Sequence, residues 1–420
     1  MARYFIYILC IFFPSTVFSG TFNTEFWLNS NASVLNNIPG YSQNENKMKN
    51  LNTNIFLSAG YSPVKNIYLD MLASAKQNYY YNEFDSNNSY KGFLHKGSVT
   101  LGNETAALTA GRIFYGEKNT LTPYFGLYDN FFGHTASSLN GFKADLNTGW
   151  VSLALLAGKE NDDFTENSKS EIYGASLHFK PSQYFDINPF VYQLKDSDID
   201  YFYTKIDRQI LGAASNIYMG MGMNFYLSYA KNSGEDTYFS SYKFKNKGDA
   251  WLAKFNAETE NKIFRYNLRF MYVRSSGEKF NSTNSTFKGI NTYVYLGSIF
   301  SGTDMFWNSP YSRFTQHPFG NIDNITAYNL GATVAPKFTR FFKIDFDIYN
   351  ISKTKMPYQQ EDIGAEMDIA LTLMPFKNVD LSLIYAVFYP GNAYKEAIPS
   401  TPGYEVNNIK QLAARLNIRF

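Results

Sequence analysis

Charged side chains recur at every second position in several stretches of this chain. Asp345 and Asp347 alternate with Phe346 and Ile348, and Glu366 and Asp368 alternate with Ala365, Met367 and Ile369. Arg265 and Arg269 alternate with Phe264, Tyr266, Leu268 and Phe270. Period two puts such charges on one face of an extended strand and the apolar residues on the other. A row of charges facing water acts on a passing ion through its field, without covalent chemistry. By the same parity the basic candidates are Arg112, Lys143, Lys254, Arg265, Arg269, Lys343, Arg415 and Arg419. The acidic candidates are Asp70, Asp145, Asp186, Glu258, Asp345, Asp347, Glu366, Asp368 and Asp380. Bases gather at Lys254, Arg265 and Arg269 and again at Arg415 and Arg419, while acids gather at Asp345, Asp347, Glu366 and Asp368. Facing stripes of opposite sign would set a transverse field across a lumen.

Signals for covalent or metal chemistry are poor. His95, His134, His178 and His317 have no metal-ligand spacing, and no HExxH occurs. His178 is expected on the polar face as a wall histidine. Asp196, Asp198 and Asp200 imitate the start of a calcium loop, but Tyr201 stands where glycine is needed and Asp207 replaces the closing Glu. No catalytic residue, metal or cofactor is expected.

The elements that would position these charges follow from composition and period. The 420 residues carry 38 Lys+Arg against 36 Asp+Glu, a balance that removes the electrostatic case for nucleic acid. Mean hydropathy is −0.31, too polar for a bundle of membrane helices. Residues 1–19 read as a signal peptide: Arg3, the apolar run Tyr4–Phe13, then Val17-Phe18-Ser19 before the cut. The single cysteine, Cys10, would leave with it.

Residues 20–420 read as one all-β unit, a transmembrane antiparallel β-barrel. Alternating segments run about 9–11 residues, the span of a tilted membrane strand. They are joined alternately by short and long connections, as outer-membrane barrels are by periplasmic turns and external loops. The chain ends on a strand whose face is Leu412, Ala414, Leu416, Ile418 and Phe420. A terminal Phe420 is the kind of signal that outer-membrane assembly machinery reads. Eighteen strands are expected, within a range of about 16–20, with both termini in the periplasm. Lipid must meet the apolar face, because an unpaired backbone group in hydrocarbon costs several kcal/mol and forces closure. The location expected is therefore the bacterial outer membrane. The longest loop, Glu278–Asp323, carries Tyr293, Tyr295, Phe300, Phe306, Trp307, Tyr311 and Phe314. It is expected either to fold into the pore as a constriction, where its rings would stack on sugars, or to cap the barrel outside.

Two regions carry a family resemblance. Gly364-Ala365-Glu366-Met367-Asp368, then Met374-Pro375-Phe376-Lys377-Asn378-Val379-Asp380-Leu381, then Phe388-Tyr389-Pro390-Gly391 resemble the C-terminal hairpin of the alginate-export family of outer-membrane porins. Gly111-Arg112 with Tyr115-Gly116 and Asn140-Gly141-Phe142 resembles another element of that family. The resemblance implies an eighteen-stranded monomeric barrel passing a polysaccharide or other large solute. It implies that Arg112 and Arg415 belong to a basic lumen and that Glu366 and Asp368 match the family's acidic pair. This lumen holds at least as many acids as bases by parity, unlike the strongly basic lumen that suits a polyuronate. The function expected is a porin for hydrophilic solutes, of the type that passes anionic polysaccharide or oligosaccharide. The alternatives are a nutrient-uptake porin for small polar solutes and an adhesin presenting its loops.

Overall fold

In the computed structural model the described residues are 21–37, 47–81, 86–127, 136–162, 170–197, 203–238, 242–277, 283–284, 287–290, 292–301, 324–338, 341–354, 361–397 and 407–420. The leader 1–19, Asp198, Asp200, His134, His317, Phe306, Trp307, Tyr311 and Phe314 lie outside them.

Eighteen strands close into one antiparallel barrel. They are β1 (Thr21–Asn36), β2 (Lys47–Ser62), β3 (Ile67–Tyr81), β4 (Ser86–Gly102), β5 (Ala106–Ile113), β6 (Ser137–Asn147), β7 (Val151–Asp162), β8 (Glu171–Ser182) and β9 (Phe185–Ser197). The second half is β10 (Tyr203–Gly220), β11 (Met223–Tyr238), β12 (Asp249–Glu260), β13 (Phe264–Ser275), β14 (Ile325–Pro336), β15 (Phe342–Lys353), β16 (Asp362–Phe376), β17 (Val379–Pro390) and β18 (Ile409–Arg419). Each pairs with its neighbours, and β18 closes on β1 from Trp27↔Arg419 to Asn36↔Lys410. The Phe420 amide donates to the Phe26 carbonyl at 2.7 Å, and the two rings lie 5.5 Å apart. Closure therefore continues to the last residue.

Alternation decides which face is which. Phe26, Ile55, Leu101, Leu146, Leu227, Leu268, Leu330, Ile344, Ile369 and Leu412 stand exposed on the outside. A belt of that kind has a place only in hydrocarbon, and closure leaves no backbone edge to pay for there. The barrel is a membrane-spanning one, of the kind found in the bacterial outer membrane. Among the described residues no helix is long and apolar enough to cross a membrane.

The strands are longer at the loop end than the apolar period predicts. The alternating stretch at 21–29 belongs to a strand, β1, that reaches Asn36, and the stretch at 51–61 belongs to β2, which begins at Lys47. β10 and β11 run 18 and 16 residues. Past the hydrocarbon both faces are wet, so alternation fades while the backbone ladder continues. Beyond β11 the ladder adds two short pieces, Tyr242–Asn246 on β11 and Thr283–Asn284 in parallel with it. One short helix, α1 (Asn392–Ala397), packs at the loop end against β16.

Candidate functional site

Register brings distant lumen residues onto common rungs. Asn216, Tyr226, Lys254, Met271, Asn329 and Tyr349 are successive partners from β10 to β15. Two residues closer to the short turns, Asn224, Asn256, Arg269, Gly331, Asp347 and Asp368 are successive partners from β11 to β16. Outward Leu227, Leu268, Leu330 and Ile348 fix the parity, so both rungs face the lumen.

Two loop segments roof this wall. In residues 115–127, Tyr115 and Phe125 bridge to each other, and the Tyr115 and Tyr192 hydroxyls share a hydrogen bond of 2.6 Å. The second segment, residues 287–290 and 292–301, belongs to the longest loop, and most of its side chains are buried. Of the two alternatives for that loop, these residues take the inward one. Its far end sits on the acidic pair of β16. The amides of Ile299 and Phe300 donate to the Glu366 carboxylate at 2.6 and 2.9 Å. The Ser298 amide and hydroxyl both donate to Asp368 Oδ2 at 2.9 Å. Three successive N–H groups facing two carboxylates make a cradle for negative charge. Glu366 is only 1% exposed. Phe300 stacks on Phe388, which packs in turn on Tyr394 of α1.

The near end is pinned by a buried ion triad. Asp236 of β11 is 0% exposed and accepts two hydrogen bonds from Arg208 Nε, one from Arg208 Nη2 at 2.8 Å and one from Lys288 Nζ at 3.2 Å. The two segments also clasp each other: the Asn119 amide donates to Tyr293 O at 2.7 Å, and the Tyr295 amide donates to Asn119 Oδ1 at 2.8 Å.

Beneath the clasp lies a cavity of about 490 Å³, inside the 300–1,000 Å³ range of small-molecule sites. Its lining includes Asn119 and Tyr295 above, with Asn216, Asn224, Tyr226, Lys254, Asn256, Arg269, Asn329, Asp347 and Tyr349 from the wall. Lys254 Nζ donates to the Asn119 carbonyl at 2.9 Å and stands 4.1 Å from the Tyr226 ring centre. Among the described residues it makes no ion pair. Arg269 is spent differently: it pairs with Asp347 at 3.0 Å, approaches Asp345 at 3.8 Å and donates to Thr333. The reach crosses β14 at Gly331, where a Cβ would stand 2.1 Å from Asp347 Oδ1. Gly331→Ala is therefore expected to break this pair and cost about 1–3 kcal/mol of stability. A lowered denaturant midpoint of the detergent-solubilised barrel checks it.

The other expected charges are scattered. Lys143 pairs with Asp145 at 3.0 Å, Lys343 with Asp345 at 3.1 Å, and Asp70 with Lys96 at 3.0 Å. Arg415 donates to Asn31 at 2.9 Å across the seam, and Arg419 lies exposed at the end of β18. Asp186 is buried, accepts from the Asn216 amide and side chain, and lies 3.7 Å from His178. Glu258 accepts from Asn267 at 3.4 Å. Asp380 pairs in register with Asn417.

Three expectations need correction. Arg112 is not in the lumen: it shares the outward parity of Leu108, at the loop end of β5, where it donates to Leu94 O and to Asn140. Above the hydrocarbon a polar residue can face either way, so polarity stops reporting the face. Arg265 does not cluster with Lys254 and Arg269; it sits at the short-turn rim, 3.7 Å from Glu260. No transverse field faces basic against acidic stripes, because Arg269 neutralises the acids of β15 directly. Asp196 serves structure, accepting from Ser170 at 2.5 Å, and among the described residues no metal-ligating cluster occurs.

Sequence reasoning also missed Asn119, Tyr226, Asp236, Arg208 and Lys288. The first two carry no charge to attract notice. The triad is assembled from two wall strands and a loop whose meeting no local pattern announces.

No protein-family model matches the chain, and no curated protein matches its sequence. Solved structures do match. OccAB2 of Acinetobacter baumannii superposes with a TM-score of 0.60 at 11% identity over 95% of this chain and 98% of that one. A BenF-like porin of Pseudomonas fluorescens gives 0.60 at 9% identity over 95% and 98%. The outer membrane protein OprD of Pseudomonas aeruginosa gives 0.55 at 9% identity over 95% and 93%. Identities this low report fold alone, and the named folds are OprD- and Occ-type porins, which does not support the alginate-export resemblance. The chain has the fold of the outer-membrane porins.

Proposed function

We propose that this protein is an outer-membrane channel for small polar solutes, which pass singly through the cavity beneath the clasped segments. The observation that carries this reading is the roof itself. Two loop segments occupy the lumen, and the one from the longest loop is tied to wall charges at both ends, leaving a cavity of about 490 Å³. That space suits one small molecule. The finer expectation, passage of anionic polysaccharide, would require both segments to leave, and four hydrogen bonds to Glu366 and Asp368 oppose it.

Selectivity in this reading comes from Lys254 and the surrounding amides. An amide both donates and accepts, so Asn224 and Asn256 suit hydroxyls and carbonyls without regard to sign. Lys254 supplies the positive field. Lys254→Met is expected to lower the anion-to-cation permeability ratio about two- to fivefold, read as a shifted reversal potential in a salt gradient. Arg269→Met should lower that ratio as well, because it leaves Asp345 and Asp347 uncompensated in the lumen. Liposome swelling tests the whole reading. Monosaccharides and amino acids should enter readily, disaccharides slowly and long oligosaccharides not at all. Ready entry of long oligosaccharides would contradict it.

A further inference from the structure

The barrel's short turns carry residues ill-suited to water. Tight turns usually end in Gly, Asn, Asp or Ser. Here Trp150 is 71% exposed, Phe338 78% and Phe376 72%, with Tyr184 also outstanding. The aliphatic tips are Val64, Ile263 and Met221, the last 87% exposed. Met221 also holds a left-handed φ of 47° between Gly220 and Gly222. Asn or Gly would take that conformation at lower cost, so the thioether is carried there against local preference.

A lysine accompanies most of these tips. The pairs are Val64-Lys65, Lys262-Ile263, Lys337-Phe338 and Phe376-Lys377. The Lys180 amide donates to the Trp150 carbonyl at 2.8 Å, which sets Lys180 beside Trp150. Lys337 is paired with Glu260, but Lys65, Lys180, Lys262 and Lys377 are exposed and, among the described residues, make no ion pair. Between the strands the short turns hold one acid, Glu104, and Glu260 at the end of β12 is engaged by Lys337 and Arg265. Exposed Phe179 and Phe185 on the outer face of β8 and β9 link the tips at Trp150 and Tyr184 to the outer belt, with Phe179 in register with Val151.

We propose that this rim is a membrane anchor. The turns lie within the headgroup layer of the leaflet on the short-turn side. Their apolar tips reach the acyl boundary, and the four free lysines bind lipid phosphates and favour anionic phospholipid. Continuity with the hydrocarbon belt identifies the occupant as lipid, since a protein partner would not need its site to merge with the membrane surface. Apolar residues flanked by Lys and Arg are the pattern of interfacial anchoring, and basic residues near an anionic surface add to it. The inference rests on the barrel's seat in the membrane and on no property of the solute.

The test uses the full barrel in nanodiscs, with Cys10→Ser and Met221→Cys labelled by an environment-sensitive fluorophore. Lipids brominated high on the acyl chain should quench most of its emission, and aqueous iodide little of it. Strong iodide quenching with no lipid quenching would overturn the anchor and leave a periplasmic protein as the occupant of the ring. Spin-labelled lipids read the charge component. Phosphatidylglycerol should associate about twice as strongly as phosphatidylcholine with the native barrel, and about equally with a variant carrying Gln at Lys65, Lys180, Lys262 and Lys377. Equal association with the native barrel would overturn the lysine role. Neither readout depends on transport, so failure here is distinct from failure of the channel reading.

Discussion

Replacing Glu366 and Asp368 together by alanine is expected to raise single-channel conductance about threefold or more, with added current noise. Both carboxylates face the lumen from β16, and four hydrogen bonds from Ser298, Ile299 and Phe300 end on them. Hydrogen bonds to a charged group contribute about 1.5–3 kcal/mol each, though neighbours in one cluster do not add independently. Without them the three backbone amides are better satisfied by water than by a dry wall. The segment then swings away from β16 and the cavity opens toward the full lumen. Glu366→Gln with Asp368→Asn should give a smaller increase, because the amide oxygens still accept. Unchanged conductance in the alanine variant would mean that this segment does not set the bore.

The second large effect is expected at Asp236. It lies between Arg208 and Lys288 with no exposure to solvent, and Asp236→Ala would remove the carboxylate that both buried cations share. Removing one partner of a buried ion cluster costs about 3–5 kcal/mol. The barrel should lose its heat-resistant folded band on an electrophoresis gel well below the native temperature. Lys288→Met separates the two roles of the triad. The wall pair Arg208–Asp236 survives, so heat resistance should fall little, while the freed loop end should raise conductance. A Lys288→Met barrel with native conductance and native heat resistance would show that the triad anchors nothing.

The barrel itself was open to reading because membrane strands obey a simple physical rule. Runs such as Phe264–Tyr272 and Ile363–Leu373 must alternate where one wall meets hydrocarbon and the other meets water. Parity then places Lys254, Asp347, Glu366 and Asp368 on the inner face, where they stand. Parity does not give pairing. Arg269 meets Asp347 only because the intervening strand carries Gly331 at the crossing point, a fact of register between strands far apart in sequence. Nor does polarity report the face beyond the hydrocarbon, which is why Arg112, on the outward face with Leu108, reads from the sequence as a lumen residue. The inward turn of residues 115–127 was hidden for another reason. Loops have no period, and Asn119 looks like any turn residue until Tyr293 and Tyr295 are brought to it. The rule therefore exposes the wall, and the roof is assembled from contacts it does not govern.

The central claim is that residues 287–290 and 292–301 of the longest loop lie in the lumen of the working channel. A disulfide between Ser298→Cys and Asp368→Cys, at the place where the native side chains touch, tests it most directly. The oxidised channel should conduct like the native protein, because the bond holds the segment where it already rests. Reduction with dithiothreitol should then raise the conductance. If oxidation instead lowers conductance well below the native value, the segment normally stands outside the pore and the account fails.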